Sequence, residues 1–213
     1  MNKIFNYLLS IIFSSIMFSM SDSRLITTWD MPSEYTLSTD YLNNSASIID
    51  SKVKYDITSG LAFSYEHKII SKEKFNFFLG SEIMLGKKSD VSLAFHSMYL
   101  MPTYKINESS DILLRFGYSV LNSNDNFLPT SAYMIGLGSE IKMSDTWSIN
   151  FFNTLHQTNS KENNFEVCPS PIQDCSQELM FSEIKYSKFS ISLVYKLVKK
   201  EDNNSPRRRG RNS

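Results

Sequence analysis

The feature that most constrains this chain is a period-two alternation of apolar and polar residues, repeated in segment after segment between residues 34 and 197. One early example places Tyr55, Leu61 and Phe63 on the same side of an extended segment. Because successive side chains of a β-strand point to opposite faces, this pattern predicts sheets with one apolar and one polar face. The apolar set is dense and rich in aromatic residues, which favours contact with lipid over contact with a protein core.

The N-terminus has the composition of a secretory signal peptide. Lys3 supplies a positive charge, a mostly apolar stretch covers 4–20, and Ser19 and Ser21 are small residues suited to a cleavage site. We therefore expect a signal peptide over 1–21, with an uncleaved membrane anchor as the alternative. No later segment approaches the roughly 18 to 20 uninterrupted apolar residues that a membrane helix needs, which argues against a multi-spanning helical protein.

The alternating segments predict eight strands, and the connections between them are of two kinds. The predicted strands cover 34–42, 54–69, 74–85, 97–106, 111–121, 131–143, 146–156 and 181–198. The tight turns fall at 71–73, 107–110 and 144–145, and the longer polar loops at 43–53, 86–96, 122–130 and 157–180. An even number of antiparallel strands with short turns at one end and long loops at the other is typical of outer-membrane barrels. The predicted fold is all-β, an eight-stranded antiparallel up-and-down transmembrane β-barrel over residues 22–198.

The polar face of these strands carries charged side chains that would point into the barrel. An eight-stranded barrel is only wide enough to be filled by side chains, so a charge inside it needs a partner. We predict interior ion pairs among Glu66, Glu82, Arg115 and Glu140. These pairs would form a structural plug, or alternatively a switchable gate in a narrow ion-conducting pore.

Aromatic residues on the apolar face lie near the ends of the predicted strands, where they would form the two interfacial girdles of a membrane barrel. Those predicted near the short turns are Phe75, Tyr104, Trp147 and Tyr195, and those near the long loops are Tyr55, Tyr118 and Tyr133.

Two segments carry a resemblance to a known family. The hairpin 133–149 has a Gly-x-Gly strand, a short turn at Asp145 and a second strand that opens with Trp147, and 188–195 alternates to a terminal aromatic residue. Both resemble the small eight-stranded outer-membrane barrels of the OmpA/OmpX type. The resemblance implies an outer-membrane location and a C-terminal strand recognised by the barrel-assembly machinery. The chain departs from many family members by continuing past that aromatic residue.

Cys168 and Cys175 lie close together in a polar stretch of an exported chain, which favours a disulfide between them. A metal site is the alternative, but no histidine lies nearby, so neither a metal nor another cofactor is expected. The tail 199–213 is basic and is predicted to be disordered, with contact to anionic partners as the alternative.

The predicted function is that of an integral outer-membrane protein with a structural or surface-interaction role and no enzymatic activity. Neither His96, followed by Ser97, nor His156 gives the His-x-Ser pair of a lipid A-modifying barrel enzyme, which remains an alternative. A soluble periplasmic lipid-binding barrel is another, and it would place apolar residues inward. Expected partners are outer-membrane lipid and an extracellular ligand at the loops, foremost the loop with both cysteines. Nucleic acid is not expected because the barrel region is mildly acidic, and a monomer is expected.

Overall fold

The computed structural model describes residues 22–42, 48–86, 93–123, 125–167 and 176–197. Regular structure in these residues is antiparallel β, and no helix among them is long and apolar enough to cross a membrane. The strands are β1 Ser23–Asp30, β2 Ser33–Leu42, β3 Ile48–Ile57, β4 Gly60–Ser71, β5 Phe75–Met84, β6 Leu93–Lys105, β7 Ser110–Ser123, β8 Ser131–Lys142, β9 Trp147–Thr158, β10 Lys161–Val167 and β11 Ser176–Leu197.

Eight of these strands close into a ring. The order around it is β1, β4, β5, β6, β7, β8, β9 and β11, and β1 pairs with β11 to complete the circuit. On one side β1 runs against β11 from Ser23 opposite Leu197 to Asp30 opposite Ser190, and on its other side it pairs with β4. Closure leaves no free sheet edge within the ring, which is what a β-structure in lipid requires. The predicted fold class is confirmed.

The first strand of the ring is not the predicted one. Residues 34–42 were expected to open the barrel, but β1 does so, and 34–42 belongs to β2 outside the ring. Only Leu25 and Trp29 are large apolar residues on the outer side of β1, so its alternation is short and weak. Pro32 lies between β1 and β2, where its missing N–H helps to end the ladder.

The sheet continues beyond the loop end of the ring. This continuation has the strand order β3, β2, β11, β10, and we call it the extension; its residues are 33–42, 48–57, 161–167 and 176–186. Strand β11 spans 22 residues and joins the two parts, because residues 185–195 pair with β9 whereas 179–186 pair with β2. The predicted polar loops 43–53 and 157–180 are therefore largely strand where they are described, since an antiparallel strand that packs one face and leaves the other in water need not be apolar throughout.

The outer wall of the ring is apolar. Large side chains exposed on it come from every one of the eight strands. They include Leu25, Trp29, Leu61, Phe63, Leu79, Ile83, Leu100, Leu114, Phe116, Ile135, Leu137, Phe189 and Leu193. A wall this rich in apolar side chains matches the hydrocarbon layer of a bilayer, and it is the opposite of what a soluble lipid-binding barrel would present.

Six of the seven predicted interfacial aromatics lie on this outer wall, in neighbouring pairs. Ring centroids are 4.9 Å apart in the pair Phe75 and Tyr104, 4.7 Å in Trp147 and Tyr195, and 6.2 Å in Tyr118 and Tyr133. The first two pairs lie at the short-turn end and the third towards the loops.

Tyr55 is placed differently from its prediction. It lies on β3 of the extension, half-buried, with its ring stacked 5.0 Å from that of Tyr35. The alternation of apolar and polar residues over 54–69 predicts one continuous barrel strand. In the structure a break at 58–59 separates β3 from β4, so Tyr55 packs inward over the barrel mouth.

Candidate functional site

The lumen is filled by a continuous series of charged side chains with alternating sign, which we call the ion chain. From the loop end to the turn end it consists of Asp30, Lys188, Glu82, Arg115, Glu66, Arg24, Glu140 and Lys196. Every link is an ion pair within 4.0 Å, and seven of the eight side chains are at most 4% exposed, the exception being Lys196. The four positive and four negative groups balance, so the ion chain as a whole carries no net charge.

Glu66 is the centre of the ion chain. One carboxylate oxygen accepts from Arg24 Nε, and the other accepts from Arg115 Nη2 at 3.1 Å and from the Tyr99 hydroxyl at 2.7 Å. Arg24 Nη1 also reaches Glu140 at 2.7 Å. Because charges removed from water need several well-placed partners to offset desolvation, this bridging carboxylate is what allows two arginines to lie in one narrow bore.

The two ends of the ion chain are completed by lysines from the last strand. At the loop end Lys188 Nζ lies 2.8 Å from Glu82 and 3.3 Å from Asp30. At the turn end Lys196 Nζ lies 3.2 Å from Glu140. Strand β11 therefore closes the ring electrostatically as well as through its backbone.

Aromatic rings hold Arg115 from two sides. Its guanidinium lies 4.5 Å from the centre of the Tyr99 ring and 4.0 Å from that of Phe152, distances suited to cation–π contact. Glycines make this arrangement possible, because a Cβ at Gly80 would overlap the Tyr99 ring and one at Gly138 would overlap the Phe152 ring. The inward glycines therefore leave room mainly for rings that flank a charge.

All four sequence-predicted interior charges lie in the ion chain. Sequence reasoning missed Arg24, Asp30, Lys188 and Lys196. Lys188 could have been found, since it shares the parity of inward serines in the last strand. Arg24 and Asp30 could not be found while the barrel was taken to begin at residue 34.

Above the ion chain, the loop end of the bore is closed by a buried apolar cluster, which we call the apolar cap. It receives residues from the ring, from the extension and from the β7–β8 loop. Its members are Tyr35, Ile57, Ala62, Met84, Leu93, Phe95, Leu121, Leu128, Ala132, Ile184 and Tyr186.

Two serine–histidine contacts resemble the pairing of a nucleophile with a base. Ser119 Oγ lies 3.1 Å from His156 Nδ1 inside the bore, where His156 stacks 4.5 Å from Phe95. Ser23 Oγ lies 3.0 Å from His67 Nδ1 at the turn end. Ser119 and His156 are both fully buried inside the bore, whereas Ser23, at 4% exposure, lines the cavity at the turn end and makes a part-buried contact with His67. His96 lies on the outer face of β6, whereas Ser97, the next residue, turns inward, where its Oγ lies 2.8 Å from Ser119 Oγ.

The β7–β8 loop is held rigidly against the extension. The Phe127 carbonyl accepts from Ser182 Oγ at 2.7 Å and from Asn163 Nδ2 at 2.9 Å, and its N–H donates to Asp125 Oδ1 at 2.8 Å. Lys161 Nζ donates to the carbonyls on either side, those of residues 126 and 128. Leu128 is buried in the apolar cap, whereas the Phe127 ring is 52% exposed.

The turn end of the bore opens into a cavity of about 260 Å³. Lysines and carboxylates line it in pairs, such as Lys142 with Asp111 at 2.9 Å and Lys68 with Asp22 at 3.1 Å. Within the described part of the chain, no group of three or more His, Cys, Asp or Glu side chains is placed to hold a metal ion.

Several predictions fall on residues that are not described. The signal peptide 1–21, the Cys168–Cys175 pair and the tail 199–213 lie outside the described ranges and stay predictions.

A closed ring with a charged interior and an apolar wall between aromatic girdles can only be solvated by a bilayer. The chain is an eight-stranded transmembrane β-barrel. No protein-family model matches its sequence, and no curated protein does.

Solved structures that are similar to it are outer-membrane barrels. The outer membrane protease OmpT from Escherichia coli is 7% identical, with a TM-score of 0.47 over 83% of this chain and 98% of that one. Neisserial surface protein A is 7% identical, with a TM-score of 0.44 over 83% and 97%. Ail, the attachment invasion locus protein of Yersinia pestis, is 9% identical, with a TM-score of 0.36 over 80% and 99%. At these values the likeness is one of fold alone.

Proposed function

We propose that this barrel is a non-conducting, non-enzymatic outer-membrane protein that acts at the cell surface, through the extension and the β7–β8 loop. The observation that carries the proposal is the filling of the bore. The ion chain occupies it from Asp30 to Lys196, and the apolar cap lies over its loop end. A transported ion or solute would have to separate several buried ion pairs, and breaking even one is costly.

The extension and the β7–β8 loop, in contrast, form a surface that suits binding to a partner. The extension continues the hydrogen-bond ladder of the ring through β11, so it is a rigid part of the barrel and not a tethered loop. The loop bonds of Asp125, Lys161, Asn163 and Ser182 fix the backbone around Phe127 while its ring stays half in solvent. Preorganised aromatic side chains of this kind are favoured anchors in protein interfaces. Outer-membrane lipid, and the barrel-assembly machinery at the C-terminal strand, complete the proposed partners.

Conductance tests the closed bore. The purified barrel in a planar bilayer is expected to give no discrete current steps. Steps with wild-type protein would contradict the proposal and favour the narrow-pore alternative. Arg115→Gln then locates the conduction path. Because Arg115 links Glu66 to Glu82, its loss weakens the ion chain at the point where an opening would first appear.

Binding tests the surface role. The barrel in nanodiscs is presented to panels of immobilised extracellular proteins and glycans, and any binding is remeasured with Phe127→Ser and with Glu162→Ala, an exposed change on β10. Loss of a central aromatic anchor is expected to weaken binding by about 10-fold or more, with the β10 variant unchanged. Equal affinity of Phe127→Ser and wild type, or no binding to any panel member, would count against this surface as the site.

The enzymatic alternative is tested by mass spectrometry of lipid A from cells that express the chain. The number of acyl chains is expected to be unchanged, because Ser119 and His156 are fully buried in the bore and the Ser23 hydroxyl, beside His67, is only 4% exposed. Loss of an acyl chain that depends on His156 or His67 would overturn the non-enzymatic proposal.

A further inference from the structure

An amide side chain points into the lipid-facing wall on β9. Asn153 is exposed on the outer face, with Leu137 of β8 and Phe189 of β11 opposite it in register. Trp147, in the turn-end girdle, precedes it by six residues on the same strand. At about 3.3 Å per residue and a tilt of about 40°, Asn153 lies roughly 15 Å above that girdle, within the hydrocarbon layer.

The hydrogen-bonding capacity of this amide is only partly used. Ser187 Oγ donates to Asn153 Oδ1 at 3.4 Å, and no described residue accepts from Asn153 Nδ2. Acyl chains offer neither donors nor acceptors at this depth. Polar side chains in such positions are costly and usually mark a contact or a functional site.

The surface around Asn153 suits close approach of another wall. The most exposed large apolar side chains of the ring lie on neighbouring β8, with Leu137 at 62% and Tyr133 at 61% exposure. Ser139 and Ser187, both exposed, are small residues beside the amide. Small residues together with a hydrogen-bonding amide are the features that drive association of membrane segments.

We propose that the β8–β9–β11 face is the interface between two copies of this chain, with the two Asn153 side chains hydrogen-bonded to each other across a two-fold axis along the membrane normal. Two copies inserted in the same membrane present Asn153 at the same depth, so the axis brings each amide to its own equivalent. An amide carries both a donor and an acceptor, so the reciprocal pair satisfies Nδ2 of each copy. A dimer thus replaces the monomer expected from the sequence.

The proposal is tested by counting subunits in liposomes. Fluorescently labelled barrel is reconstituted over a range of protein-to-lipid ratios, and photobleaching steps report the dimer fraction. Asn153→Leu is expected to raise the dissociation constant by about 3- to 30-fold, the range that corresponds to hydrogen bonds between membrane helices. The matched control is Ser81→Leu, a polar-to-leucine change on the outer face of β5, across the ring, which should leave the dimer unchanged.

Asn153→Gln keeps an amide and should keep most of the dimer, which separates hydrogen bonding from shape. Both leucine variants change lipid-facing positions, so they are expected to fold, and heat-modifiable gel mobility checks this. A wild-type protein that is monomeric at every ratio overturns the proposal, as does equal dimerisation of wild type and Asn153→Leu. A monomer that retains a lipid in native mass spectrometry, and loses it with Asn153→Leu, would assign the amide to lipid and also overturn the dimer.

Discussion

Replacing Glu66 by glutamine tests whether the ion chain stabilises the barrel. Glu66 is fully buried and accepts from both arginines and from Tyr99. Glutamine has nearly the same shape, so the substitution removes a charge without leaving a cavity. Its amide N–H groups would face arginine donors, with which they cannot bond.

The expected loss follows from the charge balance. Without Glu66 the ion chain would hold four positive and three negative groups, and the excess falls on the part formed by Arg24, Glu140 and Lys196. Removing one partner from a buried ion pair costs about 3–5 kcal/mol because the other charge stays buried. We expect the free energy of unfolding of Glu66→Gln to fall by about that amount.

Urea unfolding in phospholipid vesicles, followed by gel mobility and tryptophan fluorescence, measures the loss. The control is Glu34→Gln, since Glu34 pairs with Lys54 at 3.2 Å on the surface, where the side chains are 55% and 72% exposed. Surface pairs contribute at most about 1 kcal/mol. Adding Arg24→Gln to Glu66→Gln restores equal numbers of charges, so the double variant should lose less than the sum of the single losses. A Glu66→Gln loss no larger than the control, or simple additivity, would refute the role given to the ion chain.

Three further outcomes follow from single residues. Asn150→Leu should raise the urea midpoint, by about 1–2 kcal/mol in stability, because both amide atoms of Asn150 are buried without a partner among the described residues. Gly117→Ala should lower the free energy of unfolding by about 1–3 kcal/mol, since the added Cβ would meet backbone atoms. Gly136→Ala should cause a smaller loss, because the atom nearest its Cβ is a threonine hydroxyl 3.0 Å away, which can adjust. Brominated lipids should quench Trp29 most when bromine is deep in the acyl chain, and Trp147 when it is near the headgroup, each measured with the other tryptophan changed to phenylalanine.

Much of the ring could be predicted from the sequence because one rule, the alternation of side chains along a strand, governs both its faces. The same parity that placed Phe63 outward placed Glu66 inward, and it applied equally to Glu82, Arg115 and Glu140. Pairing of the charges also followed, because a narrow bore offers a charge few alternatives to another charge.

What could not be predicted depends on contacts between distant segments. Strand β1 carries few apolar residues, so its place in the ring is evident only from its pairing with β4 and β11. The strands of the extension contribute only a few residues to the apolar cap and are otherwise largely polar, so their sequence is similar to that of a loop. Anchoring of Phe127 depends on Asn163 and Ser182, which are 36 and 55 residues away along the chain.

The ion chain also has a consequence for how the barrel is assembled. Six of the eight ring strands contribute a charge to it, and the other two, β6 and β9, contribute the rings that flank Arg115. A slip of one residue in any charged strand would turn its charge towards lipid and an apolar neighbour inward, as with Lys188 and Phe189. A charge on the lipid face costs up to about 2–4 kcal/mol near the midplane. Each charged strand therefore inserts favourably only in the register that places its charge in the bore. Only when every strand has this register can the last strand complete both the backbone ring and the sequence of opposite charges.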